Sequence, residues 1–404
     1  MSMLYELRDR SVWEAFLQSK IERKHLSEKE QEVWKEFIAG ERYRVVTDRI
    51  TDSDYVFNPP VKISVNKSGT SKKRIVYSFS EEESMVLKLM SHLMYRYDYK
   101  ISPRCFSFRR DSSAKEAIAQ ILKIENLKEK YCLKIDISNY FNSIPIDRLA
   151  EVLGTIIDDD EMLLQFLVRL LRDGKACENG ELICEPRGAM AGIPIAPFFA
   201  NIYLLSMDNE FESRGIDYFR YSDDIIIFAD SSEQLAECER LLREIVAEKG
   251  LSVNPKKVSR GKPGEDWEFL GFAFCDGKVD LSRVTINKMK AKIRRKAHAI
   301  YRRRVRRKWD FSYAGKSLIK VFNKKYFDEA EENRFTWSRW FFPVLTTDEG
   351  LRELDAYLIQ YVRYLYRGRH YKGNYKVTYD QIKQMGFRSL VHEYYKGKED
   401  GFSK

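Results

Sequence analysis

The 404-residue chain carries 71 basic and 61 acidic residues, a net charge of +10, with 44% hydrophobic and 13% aromatic content. That length exceeds one compact core and implies packed subdomains, and the absence of any run of 18 or more apolar residues excludes a membrane-spanning helix. The opening MSMLYELRDRSVWEAF mixes charges without an apolar secretory stretch, and the six cysteines form no CxxC pair and no zinc pattern with the five histidines, so the expectation is a cytoplasmic protein with reduced thiols and no membrane partner.

Residues 1 to about 50 read as helical, with Ser27 and Glu30 spaced as a capping box and Trp34, Phe37 and Ile38 at helical intervals. VKISVNKSGTSKKRIVYSF, from Val61, has two apolar runs around a Ser/Gly/Lys turn and predicts a pair of strands. A helix over 82–97 follows. YCLKIDI (131–137) predicts a short buried strand, and 146–156 and 160–172 predict helices. Residues 196–214 predict one long helix stopped by Gly215. DYFRYSDDIIIFA (217–229) predicts two strands meeting at Asp223-Asp224, then comes a helix over 233–249 and LSVNP as a last strand. The order strand, helix, hairpin, helix, strand is the split βαββαβ arrangement of ferredoxin-like folds.

In that arrangement the first strand lies beside the hairpin at the centre of the sheet. Asp136, near the end of the first strand, can therefore meet Asp223 and Asp224 at the turn. Carboxylates so close repel one another unless cations neutralise them. Hard oxygen donors suit Mg²⁺, with Mn²⁺ as a substitute, and two ions about 4 Å apart are the arrangement used by polymerases. The backbone carbonyl of Ile137 is a candidate further ligand.

These segments resemble the reverse transcriptase family over roughly residues 55 to 275. LKIDISNYFNSI looks like the first palm motif, and GAMAGIPIAPFFANIYL like the segment before the catalytic hairpin. YSDD looks like the Tyr-x-Asp-Asp box, LSVNPKKV like the next motif, and FLGFAF like the primer grip. The resemblance implies an α+β right-hand polymerase with fingers, a ferredoxin-like palm and a helical basic thumb. Residues 1–53 would be a helical extension, 54–130 fingers, 131–275 palm, and 276–404 thumb and C-terminal extension. It assigns catalysis to Asp136, Asp223, Asp224 and Lys257, the lysine as a general acid at the leaving pyrophosphate. Phe141 would stack on the incoming sugar and exclude a 2′-hydroxyl; alternation makes one of Tyr140 and Phe141 a core residue. Lys72, Lys73 and Arg74 would grip the triphosphate, and Ala191 and Gly192 would line the nucleotide. Many relatives have Pro-Gln where this chain has Met190-Ala191, so the Gln amide contact is missing.

After FLGFAF the chain turns basic: between Lys288 and Lys308, twelve of twenty-one residues are Lys or Arg and none is acidic. The stretch is helical in character without a clean apolar stripe, and Lys292, Arg295, Lys296, Arg302, Arg303 and Arg306 are candidates for a primer–template duplex. Leu354, Leu358, Tyr361, Val362 and Leu365 have the spacing of a core helix, and the segment from Lys372 reads either as further core or as a module for a structured RNA. Val377-Thr378 is followed by Tyr379, not the Gly of retron enzymes, and no HNH or zinc pattern of a group II intron protein is present. The resemblance is therefore to the Abi-like, unknown-group bacterial set, which implies copying a non-coding RNA template into DNA from dNTPs in anti-phage defence. Oligomeric state stays open. Two rival readings are an RNA-dependent RNA polymerase, which Phe141 opposes, and a maturase-like RNA-binding protein with an idle polymerase site, which the Asp triad opposes.

Overall fold

Aromatic side chains at helical spacing build the N-terminal part of the core. Helices Arg10–Glu22 and Glu28–Ala39 meet through Trp13, Phe16, Trp34 and Phe37, with Phe16 edge-on to Trp34 at 5.4 Å. The second helix starts where expected: the Glu30 N–H donates to Ser27 Oγ and the Ser27 N–H to the Glu30 carboxylate, closing a capping box. The computed structural model describes residues 1–22, 26–52, 55–66, 73–110, 112–186, 188–327 and 336–401. The chain divides into two compact units, Met1–Pro263 and Gly264–Lys404, so FLGFAF lies in the second unit and the division falls before the expected 275/276 boundary. No helix among the described residues is long and apolar enough to cross a membrane.

The first unit contains, among its described residues, β1 (Val61–Asn66), β2 (Lys73–Ser78), β3 (Tyr131–Asp136), β4 (Lys175–Glu178), β5 (Glu181–Cys184), β6 (Asp217–Tyr221), β7 (Asp224–Ala229) and β8 (Ser259–Gly261). One sheet has the order β6-β7-β3-β8, the expected ferredoxin-like sequence of neighbours. Leu133 and Ile135 of β3 stand opposite Ile227 and Ile225 of β7, and this face is wholly buried in one core with Leu235, Cys238, Leu242 and Val246 of helix Ser232–Glu248, while the other face of β3 carries the half-buried Lys134. The second sheet, β2-β1-β4-β5, joins the expected β1–β2 pair to a hairpin at 175–184 that the sequence did not announce.

Two expected elements differ. Helix 196–214 is two helices, Ala196–Tyr203 and Leu205–Ser213, broken at Leu204 (φ −99°, ψ 7°). LSVNP is not a strand: Val253 makes a single bridge to Ile137, and the outer strand is β8, paired with β3.

The second unit holds a three-stranded sheet of β9 (Trp267–Phe269), β10 (Phe272–Cys275) and β11 (Lys278–Leu281), followed by helices. The basic segment forms the helix Arg283–Arg307, and it does have an apolar stripe, contrary to the sequence reading. Ile286, Met289, Ile293, Ala297 and Ile300 are buried against helices Phe311–Tyr326 and Glu349–Arg367. The stripe is one residue wide per turn and is easily lost among the cations in a sequence scan. Leu354, Leu358, Tyr361, Val362 and Leu365 are the buried side of Glu349–Arg367, as expected.

Candidate active site

The antiparallel register of β3 and β7 places Asp136 directly opposite Asp224, and Tyr221 pairs with Asp224 across the tight turn Ser222-Asp223. Ser222 has φ +59°, the left-handed conformation that a two-residue hairpin needs and that glycine or asparagine usually supplies. The Ile137 N–H donates to the Asp223 carbonyl at 3.3 Å, tying the end of β3 to the turn. The three aspartates converge as the topology predicted. Burial, then the charges of Asp224 and Asp136, push the Asp223 carboxyl up to about 6.

Lys257 and Asn254 complete the surroundings of Asp136, which is 3% exposed. The Lys257 ammonium pairs with Asp136 Oδ2, and Asn254 Nδ2 donates to Oδ1 at 3.2 Å. Burial opposes the Lys257 charge, but the hydrogen bond to Asp136 and the charges of Asp224 and Asp223 outweigh it and hold the ammonium above its usual range. Asn254 also accepts the Lys256 N–H, and its own N–H donates to the Asp136 carbonyl. It thus fastens the lysine loop onto the end of β3, a role no local sequence signal indicated.

Among the described residues no set of three or more His, Cys, Asp or Glu is gathered into a finished metal cage. The donor set nonetheless fits a divalent ion. It is all oxygen, its carboxylates repel one another, and the two hydrogen bonds of the Ile137–Val253 bridge use the Asp136 carbonyl and the Ser138 N–H, leaving the Ile137 carbonyl out of the ladder. Asp136, Asp223, Asp224 and the Ile137 carbonyl are the residues that would hold it, with water and phosphate oxygens completing the shell as Mg²⁺ prefers.

Beside the carboxylates lies a second group. Tyr140 is the core member of its pair, its hydroxyl donating to the Ala200 carbonyl at 2.5 Å, while Phe141 is partly exposed. Phe108 stands between Phe141 and Tyr221, 6.3 Å from each ring, an aromatic the sequence reading missed. The 188–192 segment is laced to this corner. The Ala189 N–H donates to the Phe141 carbonyl at 2.7 Å, and the Tyr77 N–H to the Ala191 carbonyl at 2.8 Å. Asn142 accepts the Ala191 N–H and donates to the Ile75 carbonyl of β2. Gly192 has φ +105°, and a Cβ there would lie 3.0 Å from the Tyr77 carbonyl, so only glycine allows this approach to β2. Phe141, Ala191 and Gly192 are therefore neighbours. Lys73 and Arg74 are exposed on β2; Lys72 lies outside the described residues.

In the second unit Arg295, Arg302, Arg303 and Arg306 are exposed, and Lys292 and Lys296 half-buried, at helical spacing along one side of Arg283–Arg307. Lys292, Arg295 and Lys296 line a groove of about 360 Å³ with Val321, Phe322 and Lys325. Burial and then the neighbouring charges of Lys325, Arg295 and Lys288 lower the Lys292 pKa.

An α+β right-hand fold with carboxylates meeting at a strand end and hairpin defines a template-directed nucleotide polymerase class. Residues 65–274, just over half of the chain, match the family described as "Reverse transcriptase (RNA-dependent DNA polymerase)", and the chain belongs to that family. It is similar to the Retron Ec86 reverse transcriptase of Escherichia coli, 25% identical over 167 residues, covering 40% of this chain and 48% of that one. It is also similar to the Retron Ec83 reverse transcriptase of Escherichia coli, 31% identical over 113 residues, covering 26% and 34%. The matched region thus spans about half or less of those relatives. Among solved structures, an RNA polymerase complex inside a dsRNA virus shares the fold with TM-score 0.50 at 10% identity, over 80% of this chain and 28% of that one.

Proposed function

We propose that the chain is an RNA-directed DNA polymerase. The observation that carries this is the β3–β7 register, which sets Asp136 against Asp224 and beside Asp223, with Phe141 on the helix that follows. In this reading the aspartates orient the 3′-hydroxyl of the primer and the α-phosphate of a dNTP. Bound divalent ions supply charge neutralisation at the attacking and leaving oxygens. Phe141 packs against the deoxyribose, Ala191 and Gly192 border the base and template, and Arg74, with Lys72 and Lys73, meets the triphosphate. Lys257 is set to move a proton towards the departing pyrophosphate. The direct test is single-nucleotide primer extension on an RNA template with dNTPs and with NTPs. Wild type is expected to use dNTPs, and Phe141→Ala is expected to narrow the preference over NTPs by about 10- to 100-fold. Equal use of NTPs by wild type would point to an RNA polymerase instead.

The basic strip of Arg283–Arg307 takes the sugar–phosphate backbone of the primer–template. Replacing Arg302, Arg303 and Arg306 together by Ala is expected to weaken primer–template binding. It should also flatten the plot of log affinity against log salt by about 0.9 per lost phosphate contact, roughly 2–3 in total. An unchanged slope would remove these residues from the interface.

The biological setting we propose is bacterial anti-phage defence in the cytoplasm, with a structured non-coding RNA as template. The retron relatives support an RNA-templated bacterial enzyme, and Met190-Ala191 and Tyr379 support a placement outside the retron set, nearer the Abi-like group. Sequencing the nucleic acid that copurifies with the protein tests the template.

A further inference from the structure

Beneath the catalytic turn lies a buried polar network that the reaction chemistry does not use. Arg220, on β6, is completely buried. Its guanidinium grips Asp208, also completely buried, through Nε at 2.8 Å and Nη2 at 2.5 Å. Nη2 also donates to the Asn201 carbonyl at 3.0 Å, and Nη1 to the Ser222 carbonyl at 3.4 Å. Asp208 further accepts the Tyr218 hydroxyl at 2.5 Å. The segment around Cys105 runs alongside: the Arg220 N–H donates to the Arg104 carbonyl and the Phe106 N–H to the Arg220 carbonyl, each at 2.9 Å. That pairing delivers Ser107 to the turn. Ser107 Oγ accepts the Ser222 N–H at 2.9 Å and donates to Asn201 Oδ1 at 2.9 Å, while Asn201 Nδ2 returns a bond to the Ser107 carbonyl at 2.7 Å.

Both backbone polar groups of Ser222 are thus held by side chains of the network, and Ser222 is the left-handed residue immediately before Asp223. A wholly buried ion pair is weak evidence for stability, since desolvation offsets the attraction, and its best-attested use is to specify one conformation. A non-glycine residue in the left-handed region persists only where the surroundings over-determine it. Burial works against the Arg220 charge, and Asp208 more than offsets it, so the guanidinium remains a full cation.

We infer that Arg220 and Ser107, working through Asp208 and Asn201, are positioning residues that set the Ser222 conformation and so aim Asp223 and Asp224 at Asp136. This rests on the polymerase reading above. A turn free to relax by about 1 Å would lose on the order of 10²-fold in rate with little change in how nucleotide binds.

Ser107→Ala removes the acceptor of the Ser222 N–H with minimal change of shape. Tyr97→Phe removes the hydrogen bond of a buried tyrosine outside this network, to Asp159 at 2.8 Å, so it reports the structural cost alone. Both are made in the full chain, with Arg220→Lys as a second route to the turn, and each is measured for Tm, for kcat and KM in single-dNTP extension, and for Mn²⁺ affinity by electron paramagnetic resonance without nucleotide. Ser107→Ala and Arg220→Lys are expected to lower kcat by about 10- to 100-fold and to weaken Mn²⁺ binding, with KM for dNTP near wild type. Tyr97→Phe should lower Tm while keeping kcat and Mn²⁺ affinity. Wild-type kcat and Mn²⁺ affinity in Ser107→Ala, or equal losses in Tyr97→Phe, overturn the inference. A wild-type protein that extends no primer, or whose Mn²⁺ binding survives Asp223→Ala, overturns the polymerase reading itself.

Discussion

Asp223→Ala should lower primer extension by about 10³-fold or more while leaving the metal-free protein as stable as wild type or more so. The two effects have one cause. Asp223 is held among like charges in a buried corner that pushes its carboxyl up to about 6, whereas an unfolded aspartate titrates near 3.9. The folded state therefore holds the proton more tightly, and its stability falls as pH rises between those values. Above the folded pKa the side chain is ionised and the whole penalty is present, of order 3 kcal/mol. Alanine removes it at neutral pH and has nothing to remove in acid. Thermal melts in EDTA at pH 8 and pH 4, beside extension assays, check both halves. A variant that is inactive only because its Tm collapses at pH 8 would contradict this account. One that extends primers normally would end the catalytic assignment of Asp223.

Gly188→Ala is expected to be the most damaging single methyl group in the first unit. Gly188 has φ +57°, and a Cβ there would lie 2.5 Å from the Phe141 carbonyl oxygen and 2.7 Å from the Asn142 carbonyl carbon. Those are backbone atoms and cannot swing aside. Left-handed backbone costs about 1–2 kcal/mol for a non-glycine residue, and overpacking adds about 1–3 kcal/mol, so a loss near 3 kcal/mol or more is anticipated. Gly180 provides the comparison: it has φ +89° but nothing within 4 Å of its would-be Cβ, so Gly180→Ala meets only the backbone term. Urea denaturation should separate the two variants by 1 kcal/mol or more on the same overpacking argument. Because the Ala189 N–H is bonded to the Phe141 carbonyl, surviving Gly188→Ala protein should also show a raised KM for dNTP. Equal stability of the two variants would mean that the 188–192 segment is not pressed against Phe141.

Where the sequence was legible, short-range rules governed. The Ser27 capping box forms because both partners lie within one helical turn. The β6–β7 hairpin was readable because two apolar runs flank a polar pair, and the placement of Asp136 followed from strand order alone. The 175–184 hairpin was not readable: its strands are four residues each, too short to show a period, and it joins the sheet through a single parallel register to β1. The break at Leu204 lies inside an unbroken apolar run, where periodicity has no contrast to offer.

The amino-acid order by itself determined the family, the meeting of the three aspartates, the aromatic pair Tyr140-Phe141 with one core member and the basic helix, since each rests on residue type, spacing or the order of elements. Only the tertiary structure decided that Lys257 and Asn254 engage Asp136 across 121 and 118 positions. It alone showed that Ser107 reaches Ser222 across 115, and that Gly188 abuts Phe141. Such contacts are chosen by chain reversal and packing between distant segments, and a hydrogen bond formed at that separation leaves no periodic trace in the residues on either side of it.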